Sequence, residues 1–196
     1  GLWPMPVLDA ELYTWGNNST GQLGDGTTTV RSSPVQIGAL TTWLKTASGY
    51  SHTLATTTDG KLYAWGTNTP YGQLGQGNTT NYSSPVQVGA LTTWLQVAGG
   101  YSHSLAIKTD GTLWSFGRNF RGALGLGDTT DRSSPVQVGA LTTWSDTSAG
   151  AYFSAATKTD GTLWAWGRGS SGELGQGNTT NYSSPVQVGA LTTWSK

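Results

Sequence analysis

Several short stretches of the chain alternate between apolar and small or polar residues, which is the period of a β-strand. In the stretch 102–108, His103, Leu105 and Ile107 fall on one side, and small residues fall on the other. An Asp-Gly pair follows at Asp110, which is typical of a two-residue hairpin turn because glycine accepts a positive φ. The aromatic-rich run 113–116 comes next. This pattern predicts an antiparallel β-hairpin.

Two further strands are predicted around this hairpin. The stretch 135–138 reads Pro-Val-Gln-Val, and we expect its proline at the start of a strand, where no ladder donor is needed. The stretch 94–98 gives a fourth, weaker strand. Four short strands in about 50 residues leave no room for a crossover helix, so the chain is predicted to be all-β.

The whole pattern repeats along the chain. An aromatic residue followed by glycine recurs at spacings of 50, 51 and 50 residues, at Trp15, Trp65, Phe116 and Trp166. Ser-Pro-Val-Gln and Leu-Thr-Thr-Trp recur in the same phase, and residues 74–94 are identical to residues 174–194. A fixed period of this length predicts a β-propeller of about four tandem four-stranded blades. The approximate units are 1–43, 44–94, 95–144 and 145–196. The first unit is predicted to be truncated, because Pro4 and Pro6 make a central strand unlikely at its start.

The repeated motifs resemble those of the regulator of chromosome condensation repeat family, in its bacterial or phage type. The resemblance rests on Gly-Tyr-Ser-His-Ser-Leu-Ala, Asp-Gly-Thr-Leu-Trp-Ser-Phe-Gly and Gly-Gln-Leu-Gly-Gln-Gly, and it covers nearly the whole chain. It implies a propeller, usually of seven blades. Members include a nucleotide exchange factor for a small GTPase and inhibitors of secreted enzymes, so the fold carries over more safely than one function.

Four blades of seven-fold geometry would leave an open ring. Three explanations would account for this. The chain is a piece of a longer protein, or further copies of it complete the ring, or four blades close with an altered tilt. The sequence leaves all three open. A bare half-ring monomer is disfavoured, because exposed apolar faces and strand edges promote association.

Composition narrows the classes of partner and of chemistry. Ten basic residues balance ten acidic ones, so no net field favours nucleic acid. No apolar run approaches the roughly 20 residues that span a bilayer, so membrane insertion is not expected. The absence of cysteine removes thiolate catalysis and cysteine-ligated zinc. Polar, threonine-rich repeats favour an extracellular or virion-associated location.

The residues that repeat are interpreted as structural, and no cofactor or metal is expected. His52 and His103 occupy equivalent positions, and the third equivalent is Phe153, which can neither transfer protons nor bind a metal. We therefore predict core packing for both histidines and for the repeated tryptophans. Glycine inside a strand pattern marks a close approach, and three such glycines precede the histidine strand, namely Gly49, Gly100 and Gly150.

The positions that break the repeat are the candidates for recognition. The loop after each aromatic-glycine pair diverges between units, and it contains residue types that are enriched at binding hot spots. These residues are Tyr71, Arg118, Phe120, Arg121 and Arg168. We expect the three arginines to cluster into a basic patch suited to carboxylate or phosphate groups. The predicted function is a non-enzymatic binding or structural module whose partner is a protein, with copies of itself included. The alternatives are a regulator of a small GTPase and a carbohydrate-binding propeller.

Overall fold

A computed structural model describes residues 10–194 of the chain, and its regular structure is almost entirely β-strand. A single turn of 3-10 helix spans Phe120–Gly122. The strands are β1 (Tyr13–Gly16), β2 (Arg31–Gln36), β3 (Trp43–Ser48), β4 (His52–Thr57), β5 (Leu62–Gly66), β6 (Tyr82–Gln87), β7 (Trp94–Gly99), β8 (His103–Lys108), β9 (Leu113–Gly117), β10 (Arg132–Gln137), β11 (Trp144–Ala149), β12 (Phe153–Lys158), β13 (Leu163–Gly167) and β14 (Tyr182–Gln187). No helix in the described part of the chain is long and apolar enough to cross a membrane.

The strands form three antiparallel four-stranded sheets, β3–β6, β7–β10 and β11–β14, each in sequential order. The all-β propeller architecture predicted from the sequence is therefore confirmed. The first unit differs from the others because its described residues contribute only the two-stranded sheet β1–β2. Pro4 and Pro6, from which we expected a truncated first blade, lie outside the described residues.

Each sheet has an inner and an outer edge. Strands β3, β7 and β11 approach one another between neighbouring blades, so the first strand of each sheet lies innermost. The Ser-Pro-Val-Gln segment lies in the fourth, outermost strand. That strand begins at Arg132 in the third blade, three residues before the predicted start, and its pairing with β9 shifts between Arg132 and Val136. Pro135 is tolerated at this irregularity because an outermost strand needs no donor on its free edge.

The hydrophobic core lies between the blades rather than within one. Leu54 and Leu74 of the second blade pack with Trp94 and Phe116 of the third. An equivalent cluster joins the third blade to the fourth around Leu105, Trp144 and Trp166. Burying a large apolar side chain contributes about 1.5–3 kcal/mol. Because each cluster draws on two blades, neighbouring blades stabilise each other.

The ends of the described chain expose residues that neighbouring blades bury elsewhere. Trp65, Phe116 and Trp166 are fully buried, whereas Trp15 is 62% exposed, so the predicted packing role of Trp15 is wrong for this structure. The buried equivalents pack against the loop of the preceding blade, and an added Cβ at Gly24 would lie 2.6 Å from Nε1 of Trp65. No blade precedes Trp15 among the described residues. Both ends therefore expose a blade surface.

Candidate protein-binding face

Two kinds of loop emerge at one end of every four-stranded sheet. The first joins the first and second strands, and the second joins the third and fourth strands, so antiparallel pairing brings them to the same side. Backbone hydrogen bonds tie them together: the N–H of Thr67 donates to the carbonyl of Ser51 at 2.8 Å, and that of Arg118 donates to Ser102 at 2.8 Å. Arg168 and Tyr152 make the equivalent bond at 2.9 Å. We call this side of the propeller the loop face.

A row of tyrosines crosses the loop face from blade to blade. The rings of Tyr50 and Tyr101 stack with their centroids 4.4 Å apart and their planes 21° apart, and Tyr101 lies 5.6 Å from Tyr152. The N–H of Tyr50 donates to the carbonyl of Gly100 at 3.1 Å, which fixes the loop of one blade on the next. Tyr50 is 70% exposed and Tyr101 is 37% exposed. These rings are rigid and amphipathic, which suits recognition.

The row continues into the divergent loops through Phe120. The Phe120 ring meets Tyr152 edge to face at 5.2 Å. The guanidinium of Arg118 lies 4.9 Å above Phe120 and 4.6 Å above Tyr71, and that of Arg121 lies 5.1 Å from Phe120. Arginine over an aromatic face is an attractive cation–π contact that also fixes the side chain. The aromatic–arginine cluster, as we name it, consists of Tyr50, Tyr71, Tyr101, Arg118, Phe120, Arg121 and Tyr152.

The structure gives the three predicted arginines different surroundings. Arg118 and Arg121 meet at Phe120, and neither forms an ion pair with a residue in the range 10–194. Arg168 instead donates to the hydroxyl of Ser170 at 2.8 Å and pairs with Glu173 at 3.3 Å. A carboxylate already balances its charge, so the expected patch of three arginines becomes a patch of two. The sequence could not indicate this, because the Arg168–Glu173 pair depends on the shape of the loop.

Arg121 also has an unusual backbone conformation. Its φ of 60° and ψ of 19° lie in the left-handed region, and it is the only non-glycine residue with a positive φ in the described chain. Holding a non-glycine residue there costs on the order of 1–3 kcal/mol, and such residues cluster at functional sites. The strain therefore marks this loop independently of its side chains.

The two histidines connect neighbouring blades and lie in the core. Nε2 of His52 is 3.0 Å from Oγ of Ser104 in the next blade, and that hydroxyl donates to the carbonyl of Gln73 at 2.7 Å. Because Ser104 donates its hydroxyl proton to Gln73, it accepts in its contact with His52, and Nε2 of His52 carries the proton. His103 makes the equivalent contact with Ser154 at 3.0 Å. Burial lowers the pKa of His52 to about 3 and that of His103 to about 4, so both are neutral near pH 7.

The glycines before the histidine strand lie against these rings. A Cβ built on Gly100 would overlap the imidazole of His103, and one on Gly150 would overlap the ring of Phe153. Gly49 has the same relation to His52. None of the three has a positive φ, so close approach is the physical reason for glycine at these positions.

The tyrosine row is the part of the site that sequence reasoning missed. Tyr50 and Tyr101 belong to the Gly-Tyr-Ser-His motif, which repeats, and repetition was interpreted as a structural role. A usable signal was present, since an aromatic residue between a glycine and the start of a strand lies in a loop. Within residues 10–194, no group of three or more potential metal ligands is present.

Comparison with known proteins agrees with this architecture. The family model described as the regulator of chromosome condensation (RCC1) repeat matches residues 9–56, 59–107, 110–157 and 160–195. The ultraviolet-B receptor UVR8 of Arabidopsis thaliana is 38% identical over 115 residues, which are 57% of this chain and 26% of the receptor.

Several solved structures match nearly the whole chain. Human WBSCR16 superposes with a TM-score of 0.83 at 24% identity, over 93% of this chain and 49% of that protein. Prp20p of Saccharomyces cerevisiae, a structure described with its binding to Gsp1p and histones, gives 0.79 at 25% identity, over 92% and 47%. The chain therefore spans less than half the length of these relatives. The predicted family and fold are both confirmed, and the bacterial or phage type of the family stays a prediction.

Proposed function

Since this chain belongs to the RCC1 repeat family, we propose that it is a non-enzymatic protein-binding module that recognises its partner through the loop face. The observation that carries the proposal is the aromatic–arginine cluster. It combines exposed aromatic rings, a residue type enriched at the hot spots of protein interfaces, with two arginines that lack a carboxylate partner within the described chain.

The chemistry of the cluster selects a type of partner. Arg118 is held between the rings of Tyr71 and Phe120, so little side-chain freedom is lost when its guanidinium binds. A guanidinium presents a planar fork of donors that matches a carboxylate. The preferred partner surface therefore carries aspartate or glutamate beside apolar side chains. The binding of Prp20p to Gsp1p and histones supports a protein as the type of partner that this fold recognises. Those particular partners are properties of Prp20p.

The test replaces the cluster without touching the blades. The triple variant combines Arg118→Ala, Phe120→Ala and Arg121→Ala. A photoreactive residue placed at position 50 is used in a separate crosslinking experiment, which identifies the partner and the face of the propeller that it covers. Truncating hot-spot residues costs about 2 kcal/mol or more, so the triple variant should bind the captured partner at least about 30-fold more weakly.

Arg168→Ala is the matched control. It removes an arginine from an equivalent loop of the same face, but one that Glu173 already neutralises, so affinity should change by less than about threefold. Unchanged affinity in the triple variant, with its fold intact, would place recognition elsewhere. Catalysis of nucleotide release from a small GTPase would replace this proposal with the regulator alternative.

A further inference from the structure

Every junction between neighbouring units repeats one set of contacts. A glycine-rich loop of one unit, which we call the glycine loop, packs on the third and fourth strands of the next unit. The four glycine loops are residues 21–26, 72–77, 122–127 and 172–177. In the first, the N–H of Gly26 donates to the carbonyl of Ser83 at 2.8 Å. The next two loops make equivalent bonds of 2.7 and 2.8 Å, namely Gly77 to Ser133 and Gly127 to Ser183.

The buried aromatic residue of the third strand binds the same loop. Nε1 of Trp65 donates to the carbonyl of Gln22 at 3.0 Å, and Nε1 of Trp166 donates to that of Ala123 at 2.9 Å. The glycine two residues after each acceptor lies under the ring and leaves no room for a side chain there. Each junction therefore combines the burial of an aromatic ring with two specific hydrogen bonds.

The fourth glycine loop is formed but has no unit to bind within residues 10–194. A Cβ built on Gly72 of the second loop would overlap Ser133 of the next blade, whereas nothing lies within 4 Å of one built on Gly172. The N–H of Gly177 likewise has no acceptor among these residues, although its three equivalents each donate to a serine carbonyl. The fourth blade therefore presents one half of a junction.

The first unit presents the other half. Trp15 is exposed and holds the position of Trp65. In both units the aromatic-glycine pair ends the third strand opposite the first residue of the fourth strand. Trp15 and Ser32 are therefore placed relative to each other as Trp65 and Ser83 are. Strands β1 and β2 thus carry the groups that a glycine loop binds elsewhere in the chain.

A second repeated contact is also divided between the two ends. Trp43, at the start of a first strand, meets Tyr63 of the third strand edge to face with ring centroids 5.4 Å apart. The third and fourth blades contain the same type of contact, at 6.0 and 6.2 Å. Trp194 and Tyr13 hold the equivalent positions, and both are exposed. Each end of the described chain thus carries side chains whose equivalents pack together inside it.

We propose that the fourth blade of one copy of this chain binds the first unit of a second copy, head to tail. The end surfaces match each other contact for contact, which specifies a second copy as the occupant. Three contacts of the internal units are completed in this way: Trp15 with the carbonyl of Glu173, the N–H of Gly177 with the carbonyl of Ser32, and Trp194 with Tyr13. Because the two surfaces differ, the contact is heterologous and produces either a closed ring or an open series of copies.

The test uses two variants of the 196-residue chain, each blocked at one end. Trp15→Asp blocks the surface of the first unit, and Trp194→Asp blocks that of the fourth blade. Both side chains are exposed, so urea unfolding of each variant should match the parent. In sedimentation velocity, self-association of each variant alone should be weakened at least about 30-fold.

An equimolar mixture of the two variants should form a one-to-one dimer, because Trp15→Asp keeps the fourth-blade surface and Trp194→Asp keeps the first-unit surface. Self-association of either variant alone at the parent's strength would overturn the proposal, since it would show a contact that does not join unlike ends. A monomeric parent, or a mixture that associates no more than its components at any concentration, would also overturn it. The triple variant of the aromatic–arginine cluster should self-associate like the parent, so this proposal and that of the loop face can fail separately.

Discussion

Mild acid should destabilise this fold through the two buried histidines. Each has an ordinary pKa of 6.5, which burial lowers to about 3 for His52 and about 4 for His103. The unfolded chain therefore takes up protons as the pH falls below 6.5, whereas the folded chain does not. The contribution of the two histidines to the free energy of unfolding is therefore complete above pH 6.5, and it is lost as the pH falls toward their folded-state pKa values. Between pH 7 and pH 5, linkage gives a loss of about 2 kcal/mol for each histidine, or about 4 kcal/mol for both.

The aspartates with a lowered pKa titrate below this window and do not obscure it. Although burial raises the pKa of Asp25, hydrogen bonds from Thr27 and Arg31 outweigh that effect and lower it to about 2. Asp59, Asp110 and Asp160 also have a pKa below the ordinary value of 3.8 because of local hydrogen bonds. Their contribution is retained above about pH 5, since an aspartate with a lowered pKa loses its stabilising effect only in stronger acid.

The assay is urea unfolding at pH 7 and at pH 5. Phenylalanine already occupies the equivalent site at position 153, so His52→Phe with His103→Phe should fold and should reduce the pH-dependent loss from about 4 to below about 1 kcal/mol. Ser104→Ala is the control, because it removes a hydrogen bond to His52 but keeps both buried imidazoles, and its pH dependence should match the parent's. An equal loss in the parent and the double phenylalanine variant would refute the assignment to the histidines.

Three further predictions concern stability and assembly. Gly100→Val should lower the free energy of unfolding by at least about 2 kcal/mol more than Thr129→Val in an exposed loop, because the added side chain overlaps His103; equal melting temperatures would contradict this. Arg121→Gly should change stability by less than about 1 kcal/mol, since relieved strain offsets added chain entropy, yet weaken partner binding in a titration; a large stability loss would indicate a structural role. The chain of 196 residues by itself should associate in a concentration-dependent way in analytical ultracentrifugation through the blade surfaces at Trp15 and Trp194; a stable monomer at all concentrations would count against this expectation.

The repeating part of the structure was accessible from the sequence because one local pattern determines it. The hairpin after His103 and the aromatic strand from Leu113 follow from alternation and from the Asp-Gly turn, and they occur where expected. Features that require two blades were less accessible. The stacking of Tyr50 on Tyr101 has no local pattern, since it depends on how the loops of two blades meet in space. The pairing of Arg168 with Glu173 lies within one loop, and it was not accessible either because it depends on the shape of that loop.

Exposure at the ends could not be predicted by the same reasoning. Trp15 follows the repeat as faithfully as Trp65, and only the described neighbour of Trp65 makes their surroundings different. Sequence period indicates which positions are equivalent in the unit. It does not indicate whether the unit on the other side of the interface is present.

Residues 74–94 are repeated without change at 174–194, so comparing the two segments shows how much protection a neighbouring blade provides. Trp94 is 2% exposed and its duplicate Trp194 is 41% exposed, although the two segments have the same composition and intrinsic exchange chemistry. In hydrogen–deuterium exchange, a peptide cut from within both segments has a single mass, although its two copies come from different surroundings in the folded protein. Its isotope envelope should split into a slow and a fast component of equal intensity, and the ratio of their rates reports the protection that adjacency alone provides.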